Sequence, residues 1–210
     1  MTSDQHHLMA ITDRHLMSDT ALELLRRTAA NLGHRFWVMV REKDLDGQAL
    51  YEFAKAIESC LHGTQAKLLI NQRLDVAISL GPKVGVHLPE TGLPTAVVRD
   101  LVGPHRTIGR SIHDSQGAKL AVDDGVDLLT IAPVFEVAGK GPAIGIQGLK
   151  KIRRLIPAST LLFGLGGLDQ ANCRSIQSHV DGFAAIRAFW TNNLGPDRDF
   201  LLDQSPPGPT

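Results

Sequence analysis

The amino-acid sequence predicts an α/β protein, a compact (β/α)8 TIM barrel. Short apolar runs alternate with longer amphipathic runs, and successive apolar runs begin about 25 residues apart. This alternation is typical of parallel strands that are joined by helices. There are eight apolar runs, the number of strands that closes such a barrel. Because the chain has 210 residues and a usual barrel has about 250, we expect short helices.

Each predicted element is a run of one of these two patterns. The apolar runs predict strands at Leu8–Ile11, Arg35–Val40, Lys67–Ile70, Val84–His87, Thr107–Ser111, Leu128–Ile131, Thr160–Phe163 and Gly182–Ile186. The amphipathic runs predict helices at 18–32, 46–61, 73–80, 93–101, 115–124, 146–156 and 169–178. The alternative architecture is an open doubly wound sheet, which has the same elements in a different strand order.

Caps and apolar faces support two of these helices. Ser18 and Asp19 are candidate caps of the first helix, because short polar side chains accept hydrogen bonds from a first turn. The face of that helix predicted to be buried carries Ala21, Leu22, Leu25 and Ala29. Asp114 or Ser115 is the candidate cap of the fifth helix, whose predicted inward residues are Ala118, Ala121 and Val122.

Composition and charge predict one globular domain with no nucleic-acid or membrane partner. The formal net charge is +0 and aromatic residues make up 5%, so neither a general field nor a stacking surface for nucleic acid is expected. No apolar run approaches the ~18 residues of a membrane span, and the two cysteines fit buried thiols in a reducing cytoplasm. We therefore predict a cytoplasmic protein with its domain at 8–203 and disordered segments at 1–7 and 204–210. A homodimer is one candidate assembly.

Two glycine-rich strand ends predict a phosphate site. The runs 161–167 and 182–188 each end in small residues, and a helical segment follows each of them. Loops after the seventh and eighth barrel strands commonly bind phosphate through backbone N–H groups. Gly166 and Gly167, with Ile186 and Arg187, are therefore candidate phosphate-binding residues. The alternative interpretation is a tight turn with packing glycines.

Cations follow the second predicted strand. Arg41 and Lys43 are two residues apart, so in an extended strand their side chains point to the same side. Two cations on one face suit a phosphate or pyrophosphate. The alternative is a solvated strand end in which Glu42 is a local counter-charge.

Two histidines and a lysine are candidate catalytic residues. His87 and His113 follow the fourth and fifth strands, and imidazole exchanges protons near neutral pH. Each histidine could instead hydrogen-bond a neighbouring loop. Lys140 lies in a glycine- and proline-rich loop that could close over an anion or remain a surface loop. The carboxylates show no metal-ligand spacing, so no metal or other cofactor is predicted.

The order of these segments resembles thiamine-phosphate synthases and their sister group, the thiazole tautomerases. The segments that carry the resemblance are Ile11-Thr12-Asp13-Arg14, Val40-Arg41-Glu42-Lys43, Leu69-Ile70-Asn71, Gly85-Val86-His87-Leu88, Ile108-Gly109-Arg110-Ser111-Ile112-His113, Pro133-Val134-Phe135, Lys140, Gly166-Gly167 and Ile186-Arg187-Ala188. The resemblance implies a TIM barrel that binds a phosphorylated thiazole. In the synthase it also implies a pyrimidine pyrophosphate with Mg²⁺, joined to the thiazole with release of pyrophosphate.

The resemblance assigns roles to most of the candidate residues. It implies that Arg41, Lys43 and Lys140 contact pyrophosphate. It implies that Asn71 and Ser111 line the pyrimidine side. It places the thiazole phosphate at Gly166, Gly167 and the residues after the eighth strand.

Several positions depart from the synthase pattern. The two metal-binding aspartates are replaced by Gln72 and Gly92. The other departures are Met39 for glutamine, Val137-Ala138-Gly139-Lys140 for Thr-x-Thr-Lys, Arg187 for serine and Pro133 for a histidine of some tautomerases. Glu90 is the one candidate substitute for the lost metal ligands. Because a pyrophosphate leaving group without Mg²⁺ loses electrostatic assistance, the sequence favours a metal-independent, tautomerase-like enzyme. The alternatives are a thiamine-phosphate synthase that uses Mg²⁺ and a non-catalytic ligand-binding regulator.

Overall fold

Eight parallel strands close into a barrel in the computed structural model, which describes residues 6–169 and 172–191. The strands are β1 (His7–Ile11), β2 (Phe36–Val40), β3 (Lys67–Asn71), β4 (Gly85–Leu88), β5 (Ile108–Ile112), β6 (Leu128–Ile131), β7 (Leu161–Leu165) and β8 (Gly182–Ala185). Each strand pairs with the next in the sequence, and β1 pairs with β8, His7 opposite Gly182. The predicted TIM barrel is confirmed, and the open sheet is excluded.

Helices cover the outside of the barrel. They are α1 (Ala21–Leu32), α2 (Gly47–Leu61), α3 (Leu74–Leu80), α4 (Thr95–Val102), α5 (Ser115–Asp123), α6 (Gly145–Arg153) and α7 (Arg187–Trp190). Two 3₁₀ segments, Gly33–Arg35 and Cys173–His179, complete the regular elements of the described residues. The predicted strand limits are within two residues of those observed. His7 opens β1, so it does not belong to a disordered terminus, and the tail 204–210 lies outside the described residues.

The seventh predicted helix, 169–178, is wrong as an α-helix. Most of its described residues belong to the 3₁₀ segment Cys173–His179. Before it, Asp169 and Asn172 exchange side-chain to backbone hydrogen bonds of 2.9 and 3.0 Å. This reciprocal pair has the pattern of a capping box, which starts a helical segment, and the residues that follow continue with the tighter 3₁₀ geometry.

The first helix begins later than predicted. It starts at Ala21, and neither Ser18 nor Asp19 caps it, since the N-cap position is Thr20 without a side-chain capping bond. Ser18 Oγ bonds the Thr20 hydroxyl at 3.0 Å instead. Leu22, predicted to be buried, is 39% exposed. In α5 the prediction holds, because Asp114 accepts a 2.7 Å bond from the Gly117 N–H.

Two layers of apolar side chains form the core. Strand residues that point inward fill the barrel, and they are Met9, Ile11, Trp37, Met39, Leu69, Leu128, Phe163 and Ala184. The alternate residues pack against the helices and form the larger cluster. Cys60 and Cys173 are both buried thiols, as predicted. Across the described residues, no helix has the length and apolar character needed to cross a membrane.

Candidate active site at the carboxyl ends of the strands

A cavity of about 730 Å³ opens where the barrel strands end. Its volume lies within the ~300–1,000 Å³ typical of small-molecule sites. Loops after several strands contribute to it, which is where TIM-barrel enzymes carry their active sites. The lining side chains and glycines are Ile11, Met39, Arg41, Asn71, His87, Pro89, Glu90, Thr91, Ser111, His113, Thr130, Ala132, Pro133, Val137, Lys140, Gly141, Pro142, Leu165, Gly166 and Ile186.

The fold brings most of the predicted site residues together in this cavity. Those that line it are Arg41, Asn71, His87, Ser111, His113, Lys140, Gly166 and Ile186. Three predicted residues do not line it: Lys43, Gly167 and Arg187. A second, more open cavity of about 850 Å³ lies beside the loop between α2 and β3, lined in part by Lys55, His62 and Lys83. That cavity is formed at the other end of the barrel, away from the strand ends that carry chemistry in this fold.

Arg41 and Lys43 separate because β2 ends at Val40. The backbone N–H of Arg41 donates to Thr12 Oγ1 at 2.9 Å, which fixes the residue at the rim of the barrel. Beyond Val40 the chain is no longer a strand, so the rule that alternate side chains share a face does not apply to Arg41 and Lys43. Lys43 is exposed to solvent. The prediction that both cations share one face is therefore wrong. Glu42 is buried and accepts from the Arg14 backbone N–H at 3.2 Å, so its partner is the β1–α1 loop.

His87 lies at the floor of the cavity, 1% exposed. Its Nε2 is 3.1 Å from Thr130 Oγ1, and Thr130 Oγ1 is 3.4 Å from Ser111 Oγ. Its Nδ1 is buried and makes no hydrogen bond. Burial, with smaller contributions from Arg110 and Arg41, lowers the pKa of His87 to about 3. The imidazole is therefore neutral at physiological pH, which does not suit the proton transfer that the sequence suggested for it.

We expect this buried imidazole to make the stability of the protein sensitive to acid. The unfolded chain has a histidine pKa of about 6.5, above the folded value, so the unfolded state takes up the proton first. The free energy of unfolding should fall as the pH drops below about 6.5, by up to about 1.4 kcal/mol per pH unit from this group. Urea unfolding of wild type and His87→Gln between about pH 7 and 4 checks this prediction. Equal pH slopes in the two proteins would contradict it.

His113 and Glu90 lie together at the mouth of the cavity. Glu90 accepts from the His113 backbone N–H at 3.2 Å, and its other oxygen lies 4.0 Å from His113 Nε2. His113 Nδ1 bonds the Ala132 carbonyl. Because the exposed imidazole is fixed by a loop carbonyl and has a carboxylate 4.0 Å from its Nε2, His113 is the better placed of the two predicted histidines for acid–base chemistry.

Arg110 is a residue whose part in the site the sequence did not reveal. It lies outside the barrel wall, and its buried guanidinium donates to Thr95 Oγ1 at 3.2 Å. It also donates to the carbonyls of Pro89 at 3.2 Å and Glu90 at 3.1 Å, and to that of Leu93. Arg110 thus fixes the loop that carries Glu90 into the cavity. Burial lowers its pKa, yet an arginine remains charged.

The two glycines after β7 have a packing role. Gly166 and Gly167 have φ angles of +91° and +68°, which favour glycine. A Cβ on Gly167 would lie 2.7 Å from the Cβ of Phe135, and one on Gly166 would lie 3.0 Å from Pro133. The alternative interpretation of this turn, packing glycines, therefore has direct support. Arg187 is exposed at the start of α7, outside the cavity lining.

Substitution of Gly167 by alanine should be costly. Both the φ of +68° and the clash with Phe135 oppose a side chain there. We expect the free energy of unfolding to fall by about 3 kcal/mol. Gly139→Ala is the matched control, because its φ is +74° but no atom lies within 4 Å of the added carbon, and we expect a loss of about 1 kcal/mol. Equal losses in urea unfolding would contradict the packing account.

The family of this chain follows from one comparison. The family TMP-TENI, described as thiamine monophosphate synthase, matches residues 8–189. The chain belongs to this family. Family membership agrees with the resemblance of the strand-end segments and places the chain in thiamine biosynthesis.

Relatives that align over most of their length have similar names. A putative thiamine-phosphate synthase of Geobacter sulfurreducens is 38% identical over 185 residues, which are 86% of this chain and 85% of that protein. A thiamine-phosphate synthase of Methanosarcina barkeri is 33% identical over 96% of this chain and 94% of its own length. The solved structure of thiamine phosphate pyrophosphorylase from Pyrococcus furiosus has a TM-score of 0.77 at 26% identity, over 91% of each chain.

The Mg²⁺ that the resemblance to the synthases implies does not fit the residues present here. Gln72, at one of the replaced aspartates, is exposed with a φ of 64° and does not line the cavity. At the other position, Gly92 packs against Pro89. Within residues 6–169 and 172–191, no three histidine, cysteine or acidic side chains are grouped as metal ligands. Glu90 is the one carboxylate among the described residues lining the cavity, and its oxygens already face His113.

Proposed function

We propose that this chain joins a pyrimidine pyrophosphate to a phosphorylated thiazole and releases pyrophosphate. The observation that carries the proposal is the cavity at the strand ends, which contains two cationic side chains and several neutral polar groups. It is supported by relatives that align over most of their length and are named thiamine-phosphate synthase or putative thiamine-phosphate synthase. These names support condensation better than the isomerisation that the sequence favoured.

The cavity residues can be assigned to the two halves of this reaction. The C–O bond to pyrophosphate breaks as the bond to the thiazole forms, and negative charge gathers on the leaving group. Arg41 and Lys140 line the cavity and supply positive charge for that group. Asn71 and Ser111 offer hydrogen bonds that orient a heterocycle. Closure of the 138–142 loop over the substrates would exclude water.

A second candidate function is isomerisation of a single phosphorylated thiazole. The observation that favours it is the replacement of both metal-binding carboxylates, by Gln72 and Gly92. Isomerisation moves a proton within one heterocycle and involves no pyrophosphate leaving group. His113, which lies beside Glu90, is the group placed to move that proton.

Phosphorus NMR on a mixture of both substrates tests the proposal. We expect thiamine phosphate and pyrophosphate to appear in equal amounts, and Arg41→Met to slow both. The assay is run with Mg²⁺ and with a chelator, which shows whether a cation carried by the substrate takes part. Conversion of the thiazole phosphate to an isomer without pyrophosphate would favour the second candidate. Absence of both reactions would contradict the proposal of an enzyme and favour the ligand-binding regulator.

A further inference from the structure

Three polar side chains that line the cavity are joined by hydrogen bonds. His87 on β4, Thr130 on β6 and Ser111 on β5 each point inward. The link from His87 Nε2 to Thr130 Oγ1 is 3.1 Å, and the link from Thr130 Oγ1 to Ser111 Oγ is 3.4 Å. His87 is 1% and Thr130 2% exposed, whereas Ser111 is half-buried at the cavity.

The direction of each hydrogen bond in this series of three side chains follows from its geometry. The Thr130 hydroxyl is oriented to donate to Ser111 Oγ. A hydroxyl has one proton, so Thr130 must accept from His87, which then carries its proton on Nε2. This leaves Nδ1 as a bare lone pair, in agreement with its lack of a partner. The reverse direction would bury an unbonded N–H at Nδ1, which native structures avoid more strictly than an unbonded acceptor.

A glycine on the neighbouring strand leaves room for the His87 imidazole. Gly109 on β5 is paired with His87 on β4. A Cβ at Gly109 would lie 2.7 Å from His87 Cδ2 and 2.7 Å from Leu128 Cδ1. The absent side chain leaves the space through which the ring reaches Thr130. Burying a polar ring costs free energy unless the ring is hydrogen-bonded, and here the Nε2 bond to Thr130 offsets part of that cost.

We propose that His87 and Thr130 are positioning residues that hold the Ser111 hydroxyl as a hydrogen-bond donor toward the cavity. Ser111 Oγ accepts from Thr130, so its own proton is directed elsewhere, and the open side of Ser111 is the cavity. A ligand group that takes this proton must be an acceptor. A ring nitrogen of the pyrimidine fits this requirement, an identification that rests on the proposed function.

Calorimetric titration with the pyrimidine pyrophosphate tests this proposal through a double-mutant cycle. Thr130→Val removes the hydroxyl at nearly constant shape and should weaken binding about three- to tenfold. Thr130→Ser keeps the hydroxyl and should bind within twofold of wild type. In the Ser111→Ala background, Thr130→Val should change the affinity less than twofold, because the threonine acts through the serine. An unchanged effect of Thr130→Val in that background would overturn the proposal.

Nitrogen NMR of histidine-labelled protein tests the hydrogen-bond direction without any ligand. We expect His87 to be the tautomer protonated at Nε2, and Thr130→Ser to preserve that signal. A His87 protonated at Nδ1 would overturn the proposal. This measurement needs no substrate, so it tests the positioning role even if the protein does not bind the pyrimidine pyrophosphate. Failure to bind that compound would count against the proposed function only.

Discussion

Replacing Arg41 by methionine is expected to weaken binding of a pyrimidine pyrophosphate by about 10- to 100-fold. Arg41 lines the cavity, and its backbone is fixed by Thr12. The acidic neighbour Glu42 faces Arg14 instead, and in the described part of the chain no carboxylate pairs with the Arg41 guanidinium. Its charge is therefore available to an anion. Isothermal titration calorimetry at constant ionic strength measures the effect.

Lys43→Met is the matched control for this prediction. Lys43 carries the same charge two residues away, but it is exposed and does not line the cavity. We expect its affinity to stay within about twofold of wild type, since an exposed cation outside the site contributes only a screened field. Equal losses in the two variants would mean that general charge, and not the cavity, attracts the ligand.

Replacing Arg110 by methionine is expected to lower the free energy of unfolding by about 3 kcal/mol and to weaken substrate binding as well. The buried guanidinium satisfies Thr95 and three loop carbonyls, which would lose their donors. The same loop carries Glu90 to the cavity. Urea unfolding measures the stability, and titration with the pyrimidine pyrophosphate measures the binding.

Arg99 offers the comparison that separates these two effects. Its guanidinium also donates to several carbonyls, including that of Arg106 at 2.5 Å, and it forms an ion pair with Asp127 at 2.7 Å. Its partners precede β5 and β6, at the end of the barrel opposite to the cavity. Arg99→Met should lower stability by about 1 kcal/mol and leave the affinity unchanged. If Arg110→Met bound substrate as tightly as Arg99→Met, the loop would not belong to the site.

The fold could be predicted because the barrel repeats one pattern eight times. Each strand is a short apolar run, so an error of one or two residues at an end does not change the count. The segments that failed depend on local competition instead. Asp169 and Asn172 form the reciprocal bonds of a helix cap, and the sequence pattern does not show whether an α-helix or a 3₁₀ segment follows such a cap.

The site could be predicted only as far as strand position determines it. Asn71 and Ser111 line the cavity because they lie near the ends of β3 and β5, at positions whose side chains point into the barrel. Lys43 was misplaced because the end of β2 at Val40 depends on tertiary contacts. Thr130 was missed although it follows Leu128 with the period of two that marks inward residues, a signal that could have found it.

A crystal structure with bound product, thiamine phosphate, tests most directly the claim that the cavity at the strand ends is the substrate site. We predict the pyrimidine within hydrogen-bond distance of Ser111 Oγ and the phosphate held at the rim of the same cavity. Product bound instead in the cavity beside Lys55 and Lys83, with the strand ends empty, would contradict the account.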